Sequence, residues 1–217
     1  MLFRSDVNNL EGSLVEDLML EFAQLEGASM AINSDQSGST TTTTGAESGL
    51  RGLDMYLDGA ASAYGTSGTA ITNGIHTIAT QTATTSVAYV DMTAAASLLP
   101  AQYWALPGTA WHVNPTTIQA LRDLTDLQGL PLFLEIGDED GASVGRVFGW
   151  PVIPNPYLSS DYPIYLANWP RFLTIGDTEE MSIQFMDQSA PGFVTMYAEK
   201  RVVSSVRDPF AGVRIKV

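Results

Sequence analysis

Trp111-His112-Val113-Asn114-Pro115-Thr116-Thr117-Ile118-Gln119-Ala120-Leu121-Arg122-Asp123-Leu124 is the most informative stretch of the chain. Thr109 to Val113 alternates like a half-buried strand, Asn114 is a good helix cap, and Pro115 suits a first helical position, where no N–H is required. The stretch therefore predicts strand, cap and helix in direct succession, with the helix over Thr116–Leu124. Downstream, Leu130–Ile136 is apolar, Gly137-Asp138-Glu139-Asp140-Gly141 is an acidic turn, and Val144–Val147 leads into Phe148-Gly149-Trp150-Pro151-Val152-Ile153-Pro154-Asn155-Pro156. Prolines 151, 154 and 156 give that piece the character of an edge-like, extended connection. Tyr162–Asn168, Phe172–Gly176, Met181–Met186, Phe193–Ser204 and Val213–Val217 read as successive strands.

Upstream, a long amphipathic helix is predicted from Asn8 to about Met30. Leu10, Leu14, Leu18, Phe22, Leu25 and Ser29 recur at helical spacing, while Glu11, Glu16, Asp17, Glu21 and Glu26 point elsewhere. Asp6, Asn8 and Asn9 are candidate caps, and Gly27 weakens the last turn. Asn33–Gly49 holds the run Ser37-Gly38-Ser39-Thr40-Thr41-Thr42-Thr43-Thr44-Gly45, which has too little apolar surface to offset its ordering entropy and reads as an exposed loop. Gly59–Gly74 is small-residue loop. Asp91 is a candidate cap for a helix Met92–Leu99 that Pro100 terminates.

The chain has 217 residues, 45% hydrophobic and 16% charged, against roughly 25% charged in an ordinary domain. Ten basic and 24 acidic residues leave a net charge of −14, which excludes the cationic footprint of a general nucleic-acid or anionic-membrane binder. Without cysteine there is no disulfide, thiolate catalysis or cysteine-ligated zinc. No apolar run approaches the ~20 residues of a membrane-spanning helix, and the N-terminus lacks the pattern of a secretory leader.

Catalytic signatures are equally scarce. His76 and His112 stand in no metal-binding or hydrolase motif, and His112 reads best as a hydrogen-bonded core or rim histidine. The acidic turn lacks the spacing of a calcium loop and reads as solvated. Gly65-Thr66-Ser67-Gly68-Thr69 has no lysine to complete a phosphate cradle. Trp104, Trp111, Trp150 and Trp169 read as core and rim aromatics. No cofactor or metal site is expected.

In their linear order, four blocks resemble the major capsid proteins of tailed double-stranded-DNA phages, the Hong Kong-type fold also used by encapsulin shells. The long helix through Leu25-Glu26-Gly27-Ala28 to Gly49-Leu50-Arg51-Gly52-Leu53 looks like the family's spine helix and the segment after it. Trp111 to Leu124 with Asp126-Leu127-Gln128-Gly129-Leu130-Pro131-Leu132 is similar to its strand, Asn-Pro and helix block. Val147-Phe148-Gly149-Trp150-Pro151-Val152-Ile153-Pro154 resembles a third block. Leu173-Thr174-Ile175-Gly176-Asp177, with Ala198-Glu199-Lys200-Arg201-Val202 through Arg207-Asp208-Pro209-Phe210-Ala211 to Val213-Arg214-Ile215, looks like the closing strands.

The resemblance implies an α+β fold: a peripheral domain of spine helix 8–30 and long antiparallel strands, residues 1–58 and 177–204, and an axial domain of mixed sheet and helices, residues 59–176 and 205–217. Family members carry an N-terminal arm and a long extended loop ahead of the spine helix. This chain begins almost at that helix, so it reads as lacking both. In members that weld their shells by Lys–Asn isopeptide bonds, a Glu on the last long strand is the base, and Glu199 matches it. The partner Asn position corresponds to Gly192, and the donor Lys would lie in the extended loop, so no crosslink is expected and Glu199 reads as a structural or interface carboxylate.

The implied function is a non-enzymatic shell subunit that packs with copies of itself in rings of five and six around DNA. Portal, scaffold or maturation protease are further partners, with no specific nucleic-acid binding and no membrane. The implied setting is the virion, assembled in the host cytoplasm. Glu11, Glu16, Glu21, Arg201 and Arg207 are the candidate subunit-contact residues. The acidity suits a wall facing packed DNA, and equally suits mere solubility. An encapsulin-like shell around a cargo enzyme is the alternative. A hydrolase would need a scattered carboxylate pair such as Glu135 with Asp138 or Asp140.

Deleting Thr40–Thr44 is expected to shift the melting temperature by less than about 5 °C, since loop length enters stability only logarithmically; a larger drop in a thermal scan would show the segment docked on the fold.

Overall fold

The computed structural model describes residues 10–32, 51–59, 71–72, 75–125, 128–131, 133–134, 144–190 and 193–217. Its centre is a nine-stranded mixed sheet built from β1 (Leu57–Gly59), β2 (Ile71–Thr72), β3 (Ile75–Thr82), β4 (Thr109–Val113), β5 (Phe133–Leu134), β6 (Gly145–Val147), β7 (Trp150–Pro154), β8 (Ile164–Asn168) and β11 (Gly212–Lys216). The strand order is β1-β3-β11-β8-β4-β7-β6-β5, with β2 paired to β3. The run Ile164-Tyr165-Leu166-Ala167-Asn168 is buried at every position because β8 lies between β11 and β4 with both faces covered, which is why it reads as continuous rather than alternating.

Strand, cap and helix occur as expected. Asn114 accepts from the Thr116 N–H at 3.0 Å, Pro115 opens α3 (Pro115–Arg122), and Ile118 and Leu121 are its buried face. α2 (Tyr89–Leu98) starts three residues earlier than expected. Asp91 is therefore not its cap but a first-turn carboxylate, reaching back to the Ala88 N–H at 3.0 Å. The piece expected at an edge is interior, since β7 pairs with β4 in parallel and with β6 in antiparallel. Its prolines fit for a geometric reason. Asn155 N–H donates toward β4 and Val152 C=O accepts from β6, so Pro151 faces β4 before that ladder begins at Val152, and Pro154 faces β6 after that ladder ends. Phe148-Gly149 joins β6 to β7 with both residues at positive φ, +51° and +87°, the two-residue turn that matches strand twist.

β9 (Leu173–Ala190) and β10 (Phe193–Val206) form a separate two-stranded antiparallel ribbon, with irregular register near Glu199–Val202. The two strands expected at 172–176 and 181–186 are thus one. At ~3.3 Å per residue the ribbon is roughly 55 Å long. The base is tied to the main body by the Arg207 N–H to Phe172 C=O bond of 2.8 Å and by Val206 N–H donating to the Tyr56 hydroxyl at 3.2 Å.

α1 (Leu10–Ile32) is the long helix, about 33 Å at 1.5 Å per residue. Its packed side is turned from the expected stripe. Val15, Leu18, Phe22, Glu26 and Ser29 are half-buried and Ala31 is buried, while Leu14 and Leu25 are exposed. Gly27, a poor helix former, admits the Tyr157 ring: a Cβ there would stand 2.6 Å from it.

Arg214 on β11 is fully buried and joins these parts. Its guanidinium donates to Leu53 C=O at 2.8 Å, Tyr56 C=O at 2.6 Å, Asp58 Oδ1 at 2.7 Å and Thr80 Oγ1 at 3.1 Å, under the Tyr162 ring at 4.0 Å. Burial alone would raise the Asp58 carboxyl, but hydrogen bonds from Lys216, Arg214 and Thr80 and the Arg214 charge outweigh it and hold the pKa at about 2. The carboxyl is more acidic folded than unfolded, so this contribution is present above pH ~4 and is lost as pH falls toward about 2. Arg214→Met leaves two carbonyls without their donors and is expected to cost about 3–5 kcal/mol, a fall of roughly 10 °C in Tm by calorimetry; an unchanged Tm would show the cluster to be dispensable.

Candidate subunit-contact surfaces

The ribbon meets α1 near its base and carries exposed apolar side chains farther out. An isolated two-stranded ribbon is marginal in water, so its apolar side chains need a partner. Within the chain that partner is α1. Lys200 on β10 meets Glu26 on α1 at 2.7 Å, with Asp177 at 3.9 Å, and the Glu26 hydrogen bond raises the Lys200 pKa. The second junction is an apolar cavity of about 600 Å³ lined by Gly27 and Met30 of α1, Leu173 and Ile175 of β9, and His112 and Trp169.

His112 stands in the wall of this cavity, its ring 3.9 Å from that of Trp169. The expected hydrogen-bonded histidine is not what forms, because Nδ1 is buried with no partner. Burial lowers its pKa to about 4, so the ring is neutral near pH 7. The tryptophans do behave as expected of core and rim. Trp111 is fully buried with its N–H on Val147 C=O at 3.2 Å, and Trp104, Trp150 and Trp169 each donate to a main-chain carbonyl.

Farther along the ribbon, Phe185 and Met186 of β9 and Tyr197 and Val203 of β10 are between 42 and 55% exposed; Phe185 and Met186, being consecutive, face opposite sides, and Leu14, Met19, Leu20 and Leu25 of α1 are also exposed. Large apolar surface on two adjoining elements is what subunit contact buries. Of the residues singled out from the sequence, Glu16 and Glu21 are exposed on α1, Arg201 is exposed on β10, and Arg207 is exposed just past it. Glu11 lies in α1 with its side chain outside the described residues. The structure gathers these residues into no single cluster.

Glu199 is half-buried on β10, where its carboxylate accepts from the Tyr197 hydroxyl at 2.8 Å and raises that phenol's pKa. Gly192 lies outside the described residues, as do Glu135, Asp138 and Asp140. Among the described residues no group of three metal-ligating side chains occurs, and no helix is long and apolar enough to cross a membrane. Sequence reading missed Arg171, which lies 36 positions from Arg207 yet lines the same 420 Å³ depression with it and Asp208. No local motif could have joined them.

A family profile described as the phage capsid family matches residues 4–217. No curated protein matches the sequence. Among solved structures, the capsid of an empty GTA particle is similar with a TM-score of 0.73 and 20% identity, covering 99% of this chain and 68% of that one. A chain from Gordonia phage Cozz gives a TM-score of 0.56 at 13% identity, covering 96% of this chain and 64% of that one. The holo-SrpI encapsulin complex from Synechococcus elongatus PCC 7942 gives 0.59 at 14%, covering 99% and 68%. At these identities the structures establish the fold.

His112 must take up a proton against burial, and the unfolded chain binds that proton at higher pH, so stability falls as pH drops from about 6.5 toward about 4. His112→Phe is expected to flatten the decline of Tm across that window, read by thermal scans at stepped pH; an unchanged slope would place the burden on another group.

Proposed function

Because this chain belongs to the phage capsid family, a structural capsid protein of the virion with the major capsid fold, we propose that it closes its shell by packing copies of itself into rings of five and six. The observation that carries this reading is the ribbon and helix with their exposed large apolar side chains. A surface of that kind on each copy, meeting a different surface of the next, gives a head-to-tail contact, and such contacts generate rings when the rotation closes.

The same reading divides the chain into a peripheral domain, 1–58 and 177–204, and an axial domain, 59–176 and 205–217. Supporting it, the ribbon at Leu173–Val206 pairs with no strand of the large sheet. β1 at Leu57–Gly59 sits across the first boundary and belongs to that sheet. Glu11, Glu16 and Glu21 on α1, and Arg201 and Arg207 at the ribbon, act at subunit contacts. Glu199, engaged by Tyr197, is a structural carboxylate with no catalytic part. Portal, scaffold and maturation protease are the further partners, assembly takes place in the host cytoplasm, and the protein catalyses no reaction.

A second reading, a shell enclosing a cargo enzyme, is favoured by the likeness in fold to the encapsulin. Neighbouring genes separate the two: terminase and portal for a genome shell, a cargo enzyme for the other.

Size-exclusion chromatography with light scattering, followed by negative-stain microscopy, is expected to show rings of five and six or closed shells; a 23.3-kDa monomer at every concentration would overturn the reading.

A further inference from the structure

Arg171 is on α4 (Trp169–Phe172) and Arg207 directly follows β10. The Arg207 N–H to Phe172 C=O bond brings them together at the ribbon base, where with Asp208 they line the 420 Å³ depression. Both are exposed, and neither has an ion-pair partner among the described residues. Asp208 makes no ion pair with either among the described residues, its Oδ2 accepting from the Tyr103 hydroxyl at 2.6 Å and its Oδ1 from the Phe210 N–H at 3.1 Å, and its single negative charge cannot balance two guanidiniums. In a chain of net charge −14, two adjacent guanidiniums left unpaired are out of keeping with the rest of the surface. Lys200 and Lys216, by contrast, are each held by carboxylates.

The complementary feature lies on α1. Glu16, Asp17 and Glu21 are exposed and make no ion pair among the described residues. Asp17 and Glu21 are four apart and so share a helix face, where like charges repel. Each copy thus presents two cations at one depression and three anions on one helix, and among the described residues no ion pair joins the two sets. Planar guanidiniums accept carboxylates in a two-pronged geometry, which suits a pair of arginines to a row of acids.

We propose that Arg171 and Arg207 of one copy clamp the Asp17 and Glu21 face of α1 of the adjacent copy, with Glu16 adding negative charge beside it. The inference rests on the shell reading and supplies the unlike pair of surfaces that a ring of identical subunits requires. It sets neighbour choice and orientation, the usual part of charge pairs in an interface, while apolar surface supplies the affinity.

The test uses the full chain in three forms: R171E/R207E, D17R/E21R, and all four substitutions together. Circular dichroism and thermal scans confirm that each folds like the parent, as these side chains are exposed. Each two-site variant is expected to raise the concentration for half-maximal assembly about tenfold at low salt. The four-site chain, with its charges exchanged, is expected to recover assembly to within about threefold of the parent. Raising salt to about 0.5 M, where screening acts over ~4 Å, should shrink the differences. If the parent assembles and R171E/R207E assembles equally well, or the four-site chain is not rescued, the clamp is overturned and the shell reading stands. If R171E/R207E loses only retention of a short DNA duplex, the arginines serve phosphate and the clamp is again overturned. A parent that never assembles removes the shell reading and the clamp with it.

Discussion

A single buried guanidinium sets the frame of this molecule. Arg214 has no exposure to water, and each of its three side-chain nitrogens is engaged, two of them on the carbonyls of Leu53 and Tyr56. Desolvating that charge is costly unless geometry and hydrogen bonds compensate, and here they do so only if residues 53–58, β3 and β11 are all in place. The segment leaving α1 is thereby fixed against the sheet, and Tyr56 in turn carries the ribbon base through Val206. Asp54, on the same segment, completes the arrangement by accepting from the buried Tyr165 hydroxyl at 2.9 Å, with burial raising its pKa.

Around that frame the chain divides its apolar residues unevenly. The nine-stranded sheet buries β4, β8 and β11 almost completely, whereas the ribbon and α1 leave Phe185, Met186, Leu20 and Leu25 in water. A monomeric domain has no reason to carry long apolar elements with so little cover. A subunit does, since neighbours supply the missing burial. The low charged fraction and the exposed ribbon both suit a chain that associates with copies of itself in a shell.

Local chemistry made part of this legible in the sequence. Asn114-Pro115 announced the junction of β4 and α3 because capping and the proline's missing N–H act within three residues. Spacing of leucines announced α1, and the order of four blocks along the chain announced the capsid fold. What the sequence hid was set by distant pairing. Pro151 and Pro154 argued for an edge, and only the offset between two ladders explains how β7 is interior. The stripe on α1 was misplaced at Leu14 and Leu25 because Tyr157 and Lys200 choose which face turns inward. Arg214, one more arginine in a closing strand, gave no sign of its burial, and Arg171 with Arg207 is a pair only in space.

The ribbon is held near one end, through Phe172, Tyr56 and the Lys200–Glu26 pair with α1, and is roughly 55 Å long. Mechanically that is a lever with a short pivot. A turn of about 5° at the base carries the far end through about 5 Å, the width of one strand spacing. Small adjustments at Phe172 and Arg207 therefore displace the ribbon's far end by a strand's width while the sheet that holds it stays unchanged.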